Sequence, residues 1–166
     1  MVSLTDNLSL YSIIGMWVIS YYPTFAKSAM LTKARAFNNV VPRSNISRLA
    51  DKKHVPQDVA ARAARAEGAH LLGLALTLSI IPPDQNGVEA MPFFGLAVLA
   101  GNYAGIDNYT MNVTCGFYLL SRMLFNYIYL NQTTRTMGNI RSLVWLLSLG
   151  APFYLLGKSA SLLASK

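Results

Sequence analysis

Residues 117–147 read FYLLSRMLFNYIYLNQTTRTMGNIRSLVWLL, and this stretch decides the fold. It overlaps a longer run, residues 109–130, in which Arg122 is the only charged residue. A helix of this length can cross the hydrocarbon core of a bilayer. Arg122 would then lie near the membrane interior, where an ionisable side chain is costly and indicates a functional site by default.

Helical spacing predicts what surrounds Arg122. At 100° per residue, Tyr118, Arg122, Phe125 and Tyr129 fall on one stripe of the helix and face the same neighbour. A second apolar run opens with Arg141-Ser142 after a short polar connection. We therefore expect two arginines and two phenols to converge at one end of a helical hairpin.

Composition predicts a membrane protein. The chain has 166 residues, of which 53% are hydrophobic and only 13% charged, which is too apolar for an ordinary soluble domain. The net charge of +7 does not indicate nucleic acid, because nine of the fourteen lysines and arginines fall in residues 27–65 and are better explained as a membrane-topology signal. The single cysteine, Cys115, allows no internal disulfide and no multi-cysteine metal site, and its apolar neighbours indicate an inert packed thiol.

The hydrophobic runs predict an all-α, multi-pass integral membrane protein folded as a four-helix bundle in one domain, 1–166. The expected spans are residues 8–26, 86–106, 109–130 and 142–157. Pro23 should kink or end the first of them. The basic loop, residues 33–56, is expected in the cytosol, with both termini on the other side of the membrane.

Several segments together resemble the MAPEG family, the small membrane proteins of eicosanoid and glutathione metabolism, and in particular its fungal and bacterial members. These segments are RAEGAH, NGVEAMPFF, YLLSRMLFNYIYL and NIRSLVW. The motif positions are Ala69-His70 and Asn86 to Glu89 in the second helix, Arg122, Phe125 and Tyr129 in the third, and Arg141-Ser142 at the start of the fourth.

The resemblance implies a homotrimer with glutathione as co-substrate, held between neighbouring subunits near the cytosolic face. It implies a transferase or peroxidase that acts on a lipophilic electrophile or peroxide, embedded in the bilayer of the endoplasmic reticulum or another endomembrane. Arg141 would be the catalytic residue that steadies the thiolate. Glutathione would be bound by Asn86, Glu89, Arg122, Tyr129 and Ser142.

The chemistry of these residue types agrees with that ligand. Guanidinium groups pair with the carboxylates of the tripeptide, while Asn and Glu can hold its amide and ammonium groups. A cation beside the thiol lowers the thiol pKa and raises the thiolate fraction at neutral pH. No metal-ligand spacing is present.

One segment departs from the family pattern. In the family, His-x-Asn is continuous, so residues 72–85 (LGLALTLSIIPPDQ) are extra here and interrupt a functional helix. They are expected to be an insertion or an unspliced intron in the gene model. Whether the chain is an enzyme stays open, and the alternative is a non-catalytic membrane scaffold or lipid-binding protein that kept the fold and lost the site. The alternative to a functional Arg122 is a structural arginine that snorkels towards the interface or pairs with Glu89.

Overall fold

A computed structural model describes residues 3, 5–41, 44–70 and 90–165, with only the backbone of residues 50, 51 and 68–70. Every regular element in these ranges is helical, as the sequence predicts. The elements in chain order are α1 (Tyr11–Lys33), a 3-10 helix (Ser47–Asp51), α2 (Gln57–His70), α3 (Ala90–Ala104), α4 (Asn108–Asn131) and α5 (Arg135–Ala164). The first four residues of the expected second span, residues 86–89, lie outside the described residues. The expected insertion, residues 72–85, also lies outside them.

Helix α1 continues through Pro23 instead of ending there. Proline has no N–H, so the carbonyl of Ile19 loses its normal partner in the helix. The side-chain amide of Asn126 on α4 donates to that carbonyl at 2.7 Å. A neighbouring helix thus supplies the hydrogen bond that proline removes from α1, which allows α1 to extend to Lys33.

Helix α2 packs antiparallel against the C-terminal halves of α1 and α4. A buried ion pair joins Lys27 on α1 to Glu67 on α2, with side chains only 8% and 12% exposed. Arg65 donates from Nε to the carbonyl of Leu130 at 3.2 Å, near the C-terminal end of α4. A cation at this position interacts favourably with the negative end of the α4 helix dipole.

Helices α3, α4 and α5 enclose the main core together with α1. The buried side chains at its centre are Met16, Phe94, Val98, Met111, Tyr118 and Leu155. Phe94 and Tyr118 stack with ring centroids 4.1 Å apart and planes 12° apart. Gly101 allows close approach of α3 to α4, because a Cβ there would lie 2.6 Å from the Met111 sulfur. Tyr118 is therefore a core residue that ties α4 to α3.

The turn between α3 and α4 is tightly capped. Gly105 adopts a φ of 81°, and the N–H of Ile106 then donates to the carbonyl of Gly101 at 3.0 Å, which closes α3. Asp107 is the N-cap of α4 and accepts from the N–H of Thr110 at 2.8 Å. On the same face, Asn112 holds the chain before α1 by accepting from the Leu8 N–H at 3.1 Å.

Helix α5 begins well before the position that the apolar pattern indicates. Its first residue is Arg135, and Thr134 caps it by accepting from the Met137 N–H at 3.2 Å. Arg141 therefore lies inside α5 and not at its start. The polar connection between α4 and α5 is therefore shorter than the sequence predicts. Arg141 still lies beside the C-terminal end of α4.

Large apolar side chains are exposed along several helices of the described chain. They include Ile14, Trp17, Val18, Tyr22 and Phe25 on α1; Phe117, Leu120, Met123, Leu124 and Tyr127 on α4; and Leu143, Leu146, Leu147 and Phe153 on α5. Continuous apolar surface of this kind contacts lipid or another protein. Among the described helices, α5 is long and apolar enough to cross a membrane by length and composition, while α3 is apolar but shorter.

Candidate functional site

Arg122 occupies the middle of α4 and is 2% exposed. Its guanidinium carbon lies 4.8 Å from the centroid of the Phe125 ring and 6.0 Å from that of Tyr118. Aromatic faces carry a negative quadrupole that attracts a cation, and the attraction strengthens when water is excluded. Tyr118 and Phe125, two rings of the predicted stripe, flank the arginine, but the stripe does not face one neighbour. Tyr118 stacks on Phe94 of α3, whereas Arg141 of α5 lies over Tyr129.

The same side of α4 meets α5 through a second arginine. The rings of Phe125 and Tyr129 lie 5.7 Å apart, and the guanidinium carbon of Arg141 lies 4.8 Å over the Tyr129 ring. Arg122, Phe125, Tyr129 and Arg141 thus form a continuous sequence of contacts, which we call the arginine–aromatic row. The sequence predicts that two arginines and two phenols converge at one end of the hairpin. The structure places Arg141 over Tyr129 there, whereas Arg122 lies in the middle of α4 and the Tyr118 ring stacks on Phe94 of α3.

A cavity of about 230 Å³ opens beside this row, between α4 and α5. Its lining consists of Phe125, Arg141, Ser142 and Trp145. Ser142 is exposed, and its hydroxyl donates to the Gly138 carbonyl at 3.2 Å. The cavity is smaller than the roughly 300–1,000 Å³ typical of sites that enclose a small molecule.

Arg141 and Arg122 offer different chemistry at this cavity. Arg141 is half-buried, lies over the Tyr129 ring and lines the cavity, so its N–H groups can reach an anion there. Arg122 is buried and contacts the Phe125 ring that lines the cavity. An anionic ligand in the cavity would therefore contact Arg141 directly. Arg122 would add positive charge nearby, separated from the cavity by the Phe125 ring.

Of the six residues assigned to the site from the sequence, the structure brings Arg122, Tyr129, Arg141 and Ser142 together. Asn86 and Glu89 lie outside the described residues, so their position relative to the cavity stays a prediction. Trp145 was not assigned from the sequence, although its spacing of four residues from Arg141 places both on one face of α5.

The described ends of α2 and α3 indicate how these two helices relate to α4. Arg65 contacts the carbonyl of Leu130, and the Tyr118 hydroxyl donates to the carbonyl of Ala90 at 3.3 Å. Leu130 and Tyr118 are about 18 Å apart along α4 at 1.5 Å per residue. Helices α2 and α3 therefore follow α4 in the same antiparallel direction, one after the other.

Comparison with known proteins gives one match. The family model described as MAPEG family matches residues 84–161, just under half of the chain. The matched segment contains α3, α4, the complete arginine–aromatic row and most of α5. No curated protein and no solved structure matches the chain. Because the family consists of membrane-associated proteins, the match agrees with the apolar surface of these helices.

Proposed function

We propose that this chain is a MAPEG protein that binds glutathione at the arginine–aromatic row and uses it on a lipophilic electrophile or peroxide. The observation that carries the proposal is the position of Arg141, which lies over the Tyr129 ring and lines a cavity inside the matched segment. The family includes glutathione transferases and peroxidases, and a half-buried guanidinium is suited to a thiolate. The resemblance to fungal and bacterial members is part of the same proposal.

Arg141 would act by stabilising the thiolate of glutathione. A positive charge beside the sulfur lowers the thiol pKa, so that more thiolate is present at neutral pH. In the transferase reaction, the sulfur electron pair attacks an electrophilic carbon and forms a C–S bond. The leaving group departs with the electrons of the bond that breaks, while the thiol proton has passed to solvent. Removing one preorganised donor of this kind costs about 2.7–4 kcal/mol in the transition state.

The remaining assigned residues would bind the peptide part of glutathione. Ser142 presents a hydroxyl beside Arg141, and Tyr129 fixes the Arg141 guanidinium by contact with its ring. Arg122 would attract the carboxylates through its charge, and the low dielectric of the helix bundle strengthens such attraction. Asn86 and Glu89 would complete the site from the second helix.

The register of α2 and α3 supports the proposal that residues 72–85 are inserted into one helix. Without them, Arg65 and Ala90 would lie about 17 Å apart along a continuous helix. Their partners on α4, Leu130 and Tyr118, are separated by about 18 Å along that helix. The two helices thus contact α4 at the spacing that a single uninterrupted helix would give.

A homotrimer in an endomembrane is part of the same proposal. The cavity beside Arg141 is too small to enclose a tripeptide, so a second subunit would supply the missing wall. The exposed apolar faces of α1, α4 and α5 provide surface for both subunit contact and lipid. The four membrane spans, including residues 142–157 within α5, are proposed on the same basis.

Glutathione binding by the detergent-solubilised protein tests the proposal. Equilibrium dialysis with radiolabelled glutathione would compare the natural chain with Arg141→Ala and with the control Arg135→Ala, which removes an exposed arginine from the first turn of the same helix. Affinity should fall about tenfold or more in Arg141→Ala and stay unchanged in the control. Absence of binding by the natural, folded chain would instead favour a non-catalytic membrane scaffold.

A further inference from the structure

A second and larger cavity, of about 480 Å³, lies on another side of α4. Helix α1 contributes Val18 and Tyr22, α4 contributes Met123 and Tyr127, and α2 contributes Arg62. We call this surface the α1–α4 groove. Met123 and Tyr127 each precede a ring of the arginine–aromatic row by two residues, which turns them about 200° around the helix axis. The groove is therefore separate from the proposed glutathione site.

The groove has an apolar end and a polar end. Helices α1 and α4 run in the same direction, because Asn112 contacts Leu8 near their starts and Asn126 contacts Ile19 further along. The apolar end is formed by Val18 and Met123. At the other end, about 12 Å further along α4, Arg62 donates from Nη2 to the side-chain oxygen of Asn131 at 3.1 Å.

Arg62 is the one charged residue in the described lining of the groove. Its guanidinium carries five N–H donors, so it can hold Asn131 and still bind a phosphate group. No carboxylate of the described lining competes for it. The polar end of the groove is therefore complementary to an anion, and the rest is complementary to a hydrocarbon chain.

We propose that the α1–α4 groove binds one anionic phospholipid of the surrounding bilayer, with its phosphate on Arg62 and an acyl chain along Val18 and Met123. Tyr22 and Tyr127 at the rim are 53% and 66% exposed, so the groove opens sideways onto the apolar surface of the bundle. Basic pockets between membrane helices on the cytoplasmic side bind anionic headgroups. Arg62 belongs to the basic region, residues 27–65, that the charge distribution places on that side.

A lipid in this groove would bridge three helices. The phosphate would contact α2 through Arg62, while the acyl chain would fill the space between α1 and α4. The inference does not depend on glutathione chemistry, because none of the groove residues belongs to the arginine–aromatic row.

Native mass spectrometry of the detergent-solubilised chain tests this site with two lipids that share the same acyl chains, phosphatidylserine and phosphatidylcholine. Phosphatidylserine should bind more tightly to the natural chain, because the choline ammonium neutralises the phosphate of phosphatidylcholine, whereas phosphatidylserine keeps a net negative charge that favours Arg62. Arg62→Gln should weaken the binding of phosphatidylserine about fivefold, while Arg62→Lys should keep most of that binding. Arg135→Gln, which removes an exposed cation from α5, should change nothing.

A second variant tests the apolar end without touching Arg62. Met123→Trp fills the groove and should weaken both lipids. Equal binding of the two lipids, unchanged by Arg62→Gln and by Met123→Trp, would overturn the inference. Disulfide-linked dimers of Tyr127→Cys in a Cys115→Ala background would also overturn it, because they would show that a second copy of the chain covers the groove. Glutathione affinity measured in Arg62→Gln separates this site from the proposed function and should equal that of the natural chain.

Discussion

The side-chain amide of Asn126 on α4 donates to the carbonyl of Ile19 on α1, at the position where Pro23 has removed the normal helical donor. This contact explains how α1 stays helical through a proline. It also fixes the position of α4 along α1 at this point.

The first prediction concerns this hydrogen bond. Asn126→Ala should destabilise the fold by about 1–3 kcal/mol, because the partly buried Ile19 carbonyl is left without a donor. Pro23→Ala restores the backbone N–H, so Asn126→Ala should cost much less in that background. Chemical unfolding in detergent measures both costs, with Asn139→Ala on the exposed side of α5 as the control. Equal costs in the two backgrounds would refute the explanation.

The second prediction concerns the buried pair of Lys27 and Glu67. Lys27→Met leaves the Glu67 carboxylate buried without its counter-ion and should cost about 3–5 kcal/mol in unfolding free energy. Lys27→Met combined with Glu67→Gln should recover much of that loss, because no uncompensated charge remains. Lys33→Met, at the exposed end of α1, is the matched control. A double variant as unstable as Lys27→Met alone would contradict this assignment.

The third prediction concerns pH. The N-cap hydrogen bond from the Thr110 backbone, followed by that from the Thr110 side chain, lowers the pKa of Asp107 below its ordinary value of 3.8, with a smaller contribution from Lys158. Since the folded-state pKa is the lower one, the carboxylate stabilises the fold above 3.8, and this stabilisation is lost as the pH falls through the folded-state pKa.

Asp107→Asn keeps a capping oxygen but does not titrate. The difference in melting temperature between the natural chain and this variant should therefore shrink as the pH falls from about 6 to about 3. Thermal unfolding followed by circular dichroism gives the comparison. A difference that stays constant over this range would show that the Asp107 charge has no role in capping α4.

How far the sequence predicts this structure depends on the range of the interactions involved. The stripe of Tyr118, Arg122, Phe125 and Tyr129 follows from helical periodicity within one segment, and the structure places two of its rings beside Arg122. The role of Tyr118 does not follow, because its stacking on Phe94 depends on how α3 packs. The sequence prediction started α5 too late, because it followed the apolar residues and the helix begins at the polar N-cap Thr134.

Long-range polar contacts were the least predictable part. The bonds from Asn126 to Ile19 and from Arg65 to Leu130 join residues far apart in the chain. No local pattern indicates such a partner. Trp145 at the cavity is an intermediate case, because its spacing from Arg141 was visible but its contact with the cavity depends on the packing of α5 on α4.

The fourth prediction concerns residues 72–85. Deleting them should join α2 to α3 and bring Asn86 and Glu89 next to His70 in sequence, so glutathione affinity and the yield of trimer should rise. Size-exclusion chromatography and equilibrium dialysis on both chains give the result. Equal trimer yield, binding and turnover would show that the segment is tolerated. Mature transcript containing the coding bases for these residues would rule out the intron explanation.

The central claim is that Arg141 holds the thiolate of glutathione, and the ultraviolet absorbance of that thiolate tests it most directly. Titrating the bound complex with pH should give a thiol pKa well below that of free glutathione in the natural chain and in Arg135→Ala, but one close to the free value in Arg141→Ala under saturating ligand. This is the fifth prediction. An equally lowered thiol pKa in Arg141→Ala would contradict the assignment of Arg141, even if the protein binds glutathione.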